Sequence, residues 1–579
     1  MRGKISLALI FYLVISFSIV TVKSEERIEP FFNLVLRTTG GGVQPDYGLY
    51  IAQYLREIGI EVEVKVDSCP GIIIAFDPNI FDAFDLTISG FSDLRTQDMR
   101  DYYTEEGQLN LFSLNKRIPF QNESEIMQNE AVTTYDLEDR QQIYFDWQIL
   151  FMDQILPLLP LFSSRQYMVT WTNTLGYDSR AGLVNSLPYM EYDGLHEGQV
   201  TTDEFILAEA NWRNLNLLET DDKPSSFIFS LMSEPIVGWS QDFTPLKTSL
   251  VSDWNQIDES HFTFTMRDNV YWNPSFNITE RDAASIPLDV STTPLMIGLK
   301  NGDFSNGSNM KVTAKDAVFT YLAMSNPIIS ENSYYYNWIS EAYVDPEDDL
   351  TFHLQIDGNP LTPELEPYVD FWGNLNQYIL PEFFLNSTDP TVSYTSSGAK
   401  CTGLYEGIAD TDPWVAYSTS AFGCGKYLLD YYVRNSITVL QANPYWMGIG
   451  AIDGTPQDLD IDTINIRVIP DILAELAEFK AGKLDLSDLT HFPEERKNMQ
   501  ADSRYEVQCH NAFGFSFLAF NLEKPHIGGS DNQVWVNGSE FGNYTKACAV
   551  RKAICYAIDR DEMNQVIHHG EFLISHRPM

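Results

Sequence analysis

A chain of 579 residues is too long for one simple core and is expected to split into two or three lobes. Hydrophobic residues at 44% and aromatics at 13%, with no low-complexity tract, exclude a disordered chain. The 81 Asp and Glu against 37 Lys and Arg give a formal net charge of -44, which repels phosphate backbones and argues against nucleic-acid binding. That charge suits solubility in salty surroundings, or attraction of cationic ligands.

In chain order, Arg2 and Lys4 precede an uncharged apolar run from Ile5 to Val22, closed by Lys23. This is the pattern of an export signal. The run is also just long enough to span a bilayer, so residues 1–24 read as either a cleaved signal or an uncleaved anchor. No Cys follows it, which leaves a lipoprotein-type anchor unsupported, and the folded part is expected outside the cell. A strand at 32–37, a turn, a helix over about 46–58 stopped by Gly59, and a strand at 60–66 form a βαβ unit. In it Tyr50, Ile51, Tyr54, Leu55 and Ile58 mark one buried helical face. A strand at 85–90 and a long helix over about 136–155 follow, with Ile143, Trp147, Leu150 and Phe151 apolar. Pro157 and Pro160 end that helix.

Alternation of Phe262, Phe264 and Met266 with Thr263, Thr265 and Arg267 predicts a half-buried strand. Thr313 opens a T-x-x-D start for a helix at 314–324. A strand follows at 350–356. A strand at 464–469, a helix from Pro470 and Asp471 to Lys480, a stop at Gly482 and a strand at 484–486 predict a second βαβ-like unit. The segment from Ala547 to Glu562 (ACAVRKAICYAIDRDE) predicts one further helix.

Six cysteines suit an oxidising compartment, and no C-x-x-C pair is present, so metal-site spacing is absent. Cys401 and Cys424 flank a Gly-rich stretch and are the preferred disulfide. Cys555, on an apolar helix face, is expected as a buried free thiol. N-x-S/T sequons at Asn122, Asn277, Asn306, Asn386, Asn537 and Asn543 fit an exported surface but carry little weight.

Catalytic patterns fail on context. Gly448, Gly450 and Gly454 follow Asn443-Pro444-Tyr445-Trp446 rather than a strand, which argues for a turn instead of a dinucleotide loop. His568 and His569 lack the partners of a metal site and read as surface or hinge residues. Asp458, Asp460 and Asp462 lead straight into a strand without the Gly and closing Glu of a calcium loop. No enzyme, cofactor or metal is indicated. Most aromatic residues are expected in the core, while Tyr334-Tyr335-Tyr336-Asn337-Trp338 could line a cleft.

Several segments, taken together, resemble the solute-binding proteins of oligopeptide and dipeptide ABC transporters. FTFTMRDNVYW (262–272), followed by VTAKDAVF (312–319), is similar to that family's strand F-x-L-R-x-x-V-x-W and helix T-A-x-D-V-x-F. FGCGKY (422–427) resembles its G-T-G-P-Y loop, and Asn443 to Trp446 its N-P-x-Y-W. Ile469-Pro470-Asp471 with 479–485 resembles I-P-D and L-x-A-G-x-x-D, and Phe520-Asn521-Leu522 and 550–560 complete the series. The order departs from the family. Features that follow its A-I-D-R helix stand here at the front: IAQYLREIGIEV (51–62), 84–90, Arg140 to Tyr144, and Pro157 to Leu161. The chain therefore resembles a circular permutant, in which 165–177 crosses between lobes and runs into 201–218. Permutation is tolerated where old termini lie close and new ones fall on the surface.

The resemblance implies a two-lobed α/β, periplasmic-binding-protein-like (flytrap) fold with an extra subdomain. Lobe I would span 163–464 with an insertion at about 235–400, and lobe II would be assembled from 25–162 and 465–579. It also implies a monomer that closes on a peptide or other small solute and delivers it to membrane permease subunits of an ABC transporter. Main-chain pairing of the peptide would fall on Leu217, Leu218, Glu219, Thr220 and Asp221 of the first lobe. In the second it would fall on Ala512, Phe513, Gly514, Phe515, Ser516 and Phe517. Asp93 or Asp98 would receive a ligand amine, although the loop departs there from the family's W-x-x-D. A surface protein binding oligosaccharide or another ligand, and a secreted hydrolase, are the alternatives.

Overall fold

In the computed structural model the described residues are 29–40, 43–67, 84–91, 96–107, 109–216, 218, 222–240, 244–272, 311–330, 333–386, 392–395, 398–401, 407–411, 414–415, 417–418, 423–444, 446, 448, 459–536 and 543–579. Of these, 67, 395, 398–401 and 409 are described by backbone alone. They are mixed α/β and divide into two compact units: Met1–Ser89, Leu156–Leu159 and Phe517–Gly570 in the smaller, and Gly90–Ile155, Pro160–Ser516 and Glu571–Met579 in the larger. Residues 1–24 and Asp93 lie outside the described residues. Among the described residues no helix is long and apolar enough to cross a membrane.

The smaller unit is built on a five-stranded sheet in the order Ile60–Asp67, Phe32–Thr39, Leu86–Phe91, Phe515–Phe520, Leu158–Pro160. Phe32–Thr39 pairs in parallel with both Ile60–Asp67 and Leu86–Phe91. The crossover between the first two is the Gln44–Glu57 helix, which buries Tyr47, Ile51 and Leu55 against Leu34, Leu36 and Val62. Each such aliphatic side chain contributes roughly 2 kcal/mol by leaving water. Gly59 turns the chain between helix and strand at φ +82, where a side chain would be strained and would also strike the Phe31 ring at 2.8 Å.

The stretch expected as one helix over 547–562 is two, Lys546–Ala557 and Arg560–His568, and both pack in this unit with Gln44–Glu57. The break follows from capping. Ile558 is extended, and the Asp559 carboxylate accepts from the Glu562 amide at 2.8 Å, starting a new helix rather than continuing the old one. Tyr54 Oη donates to Glu562 Oε2 at 2.8 Å, and Tyr47 Oη is hydrogen-bonded to His568 Nε2, tying the two ends of the chain together. His568 is buried, not a surface residue, because it packs edge-on to Tyr47.

The larger unit holds three principal sheets. Tyr427–Val433, Ile437–Ala442 and Thr463–Val468 form an antiparallel run that Glu204–Glu209 joins in parallel. Arg165–Trp171 lies between Leu486–Asp488 and Tyr505–Asn511, antiparallel to both. Val251–Asp258, His261–Met266, Thr351–Ile356 and Ile339–Val344 make an antiparallel sheet whose Phe262, Phe264, Met266, Phe352 and Leu354 face the core. The Ala314–Met324 helix starts in a capping box between Thr313 and Asp316, whose carboxylate is buried.

Four further expectations change here. The strands flanking Ile472–Lys480 belong to separate sheets, so 463–488 is not one βαβ unit: the Leu486–Asp488 ladder goes to Arg165–Trp171. That same pairing places 465–516 in the larger unit, and 90–155 also clusters there rather than with 25–89. The long helix is α-helical over Leu137–Leu150 and π-helical over Phe151–Ile155 before the prolines. Cys424 is a free, buried thiol in place of the expected disulfide with Cys401, whose side chain lies outside the described residues. It sits beside Ser233 and Glu234, and burial pushes its thiol up to about 12.

Candidate functional site

A cavity of about 1070 Å³ opens within the larger unit. One wall is the segment 96–102, which leads into the short Arg100–Tyr103 helix. Its position is set by Asp370, a buried carboxylate at the start of the Phe371–Asn374 helix. Asp370 accepts from the Gln97 amide at 2.7 Å, the Asp98 amide at 3.0 Å and the Thr96 hydroxyl. Burial pushes Asp370 up to about 6, and those three donors work against the shift.

Asp98 lines the same wall, and both its oxygens are engaged by Arg100: Nε reaches Oδ1 at 2.9 Å and Nη2 reaches Oδ2 at 2.7 Å. Arg100 Nη1 also donates to the Gly358 carbonyl at 3.1 Å. The wall is thus a fixed, internally neutralised fork. Elsewhere on the lining, Lys426 Nζ and Glu234 Oε1 form a buried ion pair at 2.9 Å, and the Trp446 indole donates to the same oxygen at 3.0 Å. Two partners, one of them a cation, close on the Glu234 carboxylate, as burial of charge requires. The remaining surface is rich in rings, among them Tyr102, Tyr189, Trp239, Tyr334, Tyr335 and Tyr378.

The aromatic run at 334–338, singled out from sequence as able to line a cleft, lines this cavity along its whole length. Asp98 and Phe513 are also there. Their neighbours in sequence serve strand pairing. The Ala512 amide donates to the Ser164 carbonyl at 2.9 Å, the Gly514 carbonyl accepts from the Ser163 hydroxyl at 2.7 Å, and the Ser516 hydroxyl donates to the Phe162 carbonyl at 3.2 Å. Phe515 and Phe517 are buried, as is Leu218. Leu217, Glu219, Thr220, Asp221 and Asp93 lie outside the described residues. Arg100, Glu234, Lys426 and Asp370 were not singled out from sequence as site residues. Lys426 alone had a signal, its place in the FGCGKY loop. No group of three or more His, Cys, Asp or Glu among the described residues could hold a metal ion.

Residues 300–575 match the family model for bacterial extracellular solute-binding proteins, family 5, middle region. No curated protein matches the chain. Among solved structures, NikZ from Campylobacter jejuni in complex with Ni(L-His) is similar at 16% identity and a TM-score of 0.33, covering 49% of this chain and 43% of that one. The oligopeptide-binding protein AppA from Bacillus subtilis, in complex with a nonapeptide, is similar at 15% identity and TM-score 0.32, covering 50% and 44%. A dipeptide-binding protein from Pseudoalteromonas sp. SM9913 in complex with Met-Leu is similar at 13% identity and TM-score 0.32, covering 49% and 46%. The chain spans less than half the length of each of these structures.

Proposed function

From a chain whose residues 300–575 match the model of the bacterial extracellular solute-binding proteins of family 5, we propose a binding protein that captures a peptide or related small solute outside the cell. It hands that solute to the permease subunits of an ABC transporter. The observation that carries the reading is the cavity of about 1070 Å³, large enough for a short peptide, with walls fixed by buried partners before any ligand arrives. Pre-set walls of this kind reduce the ordering cost of binding. The ligand then shifts an equilibrium between conformations and undergoes no reaction. On this reading the protein acts as a monomer, exported through the segment at 1–24, and its lining charges orient the ligand without supplying a nucleophile.

The same reading takes the chain as a circular permutant of that family. Its support is the shared unit of the Gln44–Glu57 and Lys546–Ala557 helices, which stand almost five hundred residues apart. Native mass spectrometry of the purified chain, followed by calorimetry with synthetic di- to pentapeptides, tests the function. A co-purifying peptide or micromolar peptide binding is expected. Hydrolysis of the peptides, or binding of glycans with no binding of peptides, would overturn it.

A further inference from the structure

Two histidines meet on the outer face of the antiparallel sheet that holds His261–Met266 and Thr351–Ile356. His261 and His353 alternate with the buried Phe262, Phe352 and Leu354, so they face away from the core, and both are half-buried. His261 Nε2 lies 3.0 Å from His353 Nδ1, with the Tyr343 hydroxyl 3.5 Å from the same His261 nitrogen, and Tyr343 stacks on the His353 ring at 4.5 Å. His353 Nε2 lies 3.0 Å from Asp345 Oδ2, and Asp345 Oδ1 accepts from the Glu347 amide at 2.8 Å. The carboxylate assigns the tautomers: His353 donates from Nε2 and accepts at Nδ1, so His261 donates from Nε2 and keeps the lone pair of Nδ1. The surroundings are acidic. Asp258 and Glu259 precede His261, Glu341 shares the strand of Tyr343, Glu347, Asp348 and Asp349 form the turn before His353, and Asp357, Glu364 and Glu366 follow it. Neither 251–266 nor 339–367 contains a Lys or Arg. Two other elements pack against Ile339–Val344: the Ala314–Met324 helix, whose Lys315 lies over the Tyr394 ring, and Gly398–Cys401, whose Lys400 side chain is outside the described residues.

One segment ties this pair to the large cavity. The Ile356 amide donates to the Ser260 carbonyl at 2.8 Å, and the Asp357 amide to the Trp338 carbonyl at 2.8 Å. From there 357–361 line the large cavity, while Leu365 and Pro367 share with His261 the lining of a second cavity of about 400 Å³. The segment is braced across its width: the Gly358 amide donates to the Glu366 carbonyl at 2.9 Å, and the Thr362 hydroxyl to Glu366 Oε1 at 2.7 Å. Resting on the reading of the large cavity as a solute site, we propose that His261 and His353 form a proton-operated switch that loosens the 357–361 wall, and with it the hold on solute, as the surroundings turn acid. The first proton goes to His261 Nδ1 and leaves the chain of bonds intact. The second can go only to His353 Nδ1, which then faces the His261 N–H, and two cationic rings with centroids 5.2 Å apart repel each other. Burial first, and then His353, hold His261 below its ordinary 6.5, against the pull of Asp258 and Glu341. The loosened state therefore takes up protons first, so the latch is complete above pH 6.5 and is lost as pH falls below it. The proton acts as a ligand with different affinities for two states of the wall.

The test is hydrogen–deuterium exchange of the full chain at pH 7 and pH 5, corrected for the intrinsic rate at each pH, beside calorimetry with trialanine under the same conditions. In the wild type the protected amides of 356–367 should exchange about tenfold faster at pH 5, and trialanine should bind about tenfold more weakly. His261→Gln, which keeps a donor to His353 without titrating, should lose both effects while retaining the wild-type unfolding midpoint at pH 7. Glu341→Gln should move both to lower pH. Asp370 also titrates near this range, at about 6, and His261→Gln leaves it in place. Unchanged exchange in the wild type, or the same acceleration in His261→Gln, overturns the switch. Accelerated exchange with constant trialanine affinity overturns its coupling to the cavity. Accelerated exchange that His261→Gln abolishes, with no trialanine binding at pH 7, overturns the solute reading and leaves the switch on the wall standing.

Discussion

His568 shows how a single residue can couple stability to pH. Burial first, and then the neighbouring His569, hold its imidazole down at about 4, below the ordinary 6.5. The neutral ring accepts from the Tyr47 hydroxyl at Nε2, a tautomer assigned from that bond. A depressed pKa means the unfolded chain takes up the proton first. The contribution is therefore complete above pH 6.5 and is lost as pH falls through 4. After allowance for partial solvation, roughly 2 kcal/mol should disappear across that window. Urea unfolding at pH 7 and pH 4.5 should show this loss in the wild type and a smaller one in His568→Gln, which keeps an acceptor but does not titrate. Equal losses in both would remove His568 as the cause. Asp370 and Asp316 work in the opposite sense. Burial raises them to about 6 and about 7, so their contribution is present below 3.8 and is lost as pH rises through those values.

The Lys546–Ala557 helix illustrates the scale of the element. Its N-terminus is capped by the Thr545 hydroxyl, which accepts from the Cys548 amide at 3.2 Å. Its buried face carries Ala547, Cys548, Ile554 and, unusually, Arg551. The Arg551 guanidinium donates to the carbonyls of Leu156 and Ile527 and to Asn532 Oδ1, joining three stretches of the smaller unit, while burial pulls it down to about 10. Carbonyls left unpaired in a core are costly, so Arg551→Met should lose about 3 kcal/mol or more. Thr545→Ala should lose only about 1 kcal/mol, the usual worth of an N-cap. Denaturant titrations that reversed this ranking would show that the guanidinium is not the joint.

At the scale of the whole molecule, the smaller unit draws its sheet from strands that begin at residue 32 and end at residue 520. If the order of the chain is a permutation, 163–579 followed through a short Gly-Ser linker by 25–162 should fold. It should keep the unfolding midpoint within a few degrees and bind the same solute. An insoluble product, or one that folds without binding, would count against permutation. In the larger unit, 571–579 packs back by local chemistry. Leu573–Ile574 pairs with Phe162–Ser163, Arg496 binds Glu571, and the Tyr103 hydroxyl donates to the Pro578 carbonyl at 2.6 Å.

Periodicity and local chemistry by themselves determined the elements. The spacing of Ile51 and Leu55, the alternation of Phe262, Phe264 and Met266, and the T-x-x-D start at Thr313 each report on neighbours within a few residues, and each element is found where its pattern lies. The aromatic run at 334–338 was readable for the same reason. Only tertiary structure decided the rest. Glu234 meets Lys426 across 192 residues and Asp370 meets Gln97 across 273, and nothing in either local sequence names its partner. It likewise decided that the Ile472–Lys480 helix joins two sheets and that Asp98 is spent on Arg100. Strand pairing and burial of charge are settled by whichever distant groups the fold brings within 3 Å, a distance scale on which sequence separation has no bearing.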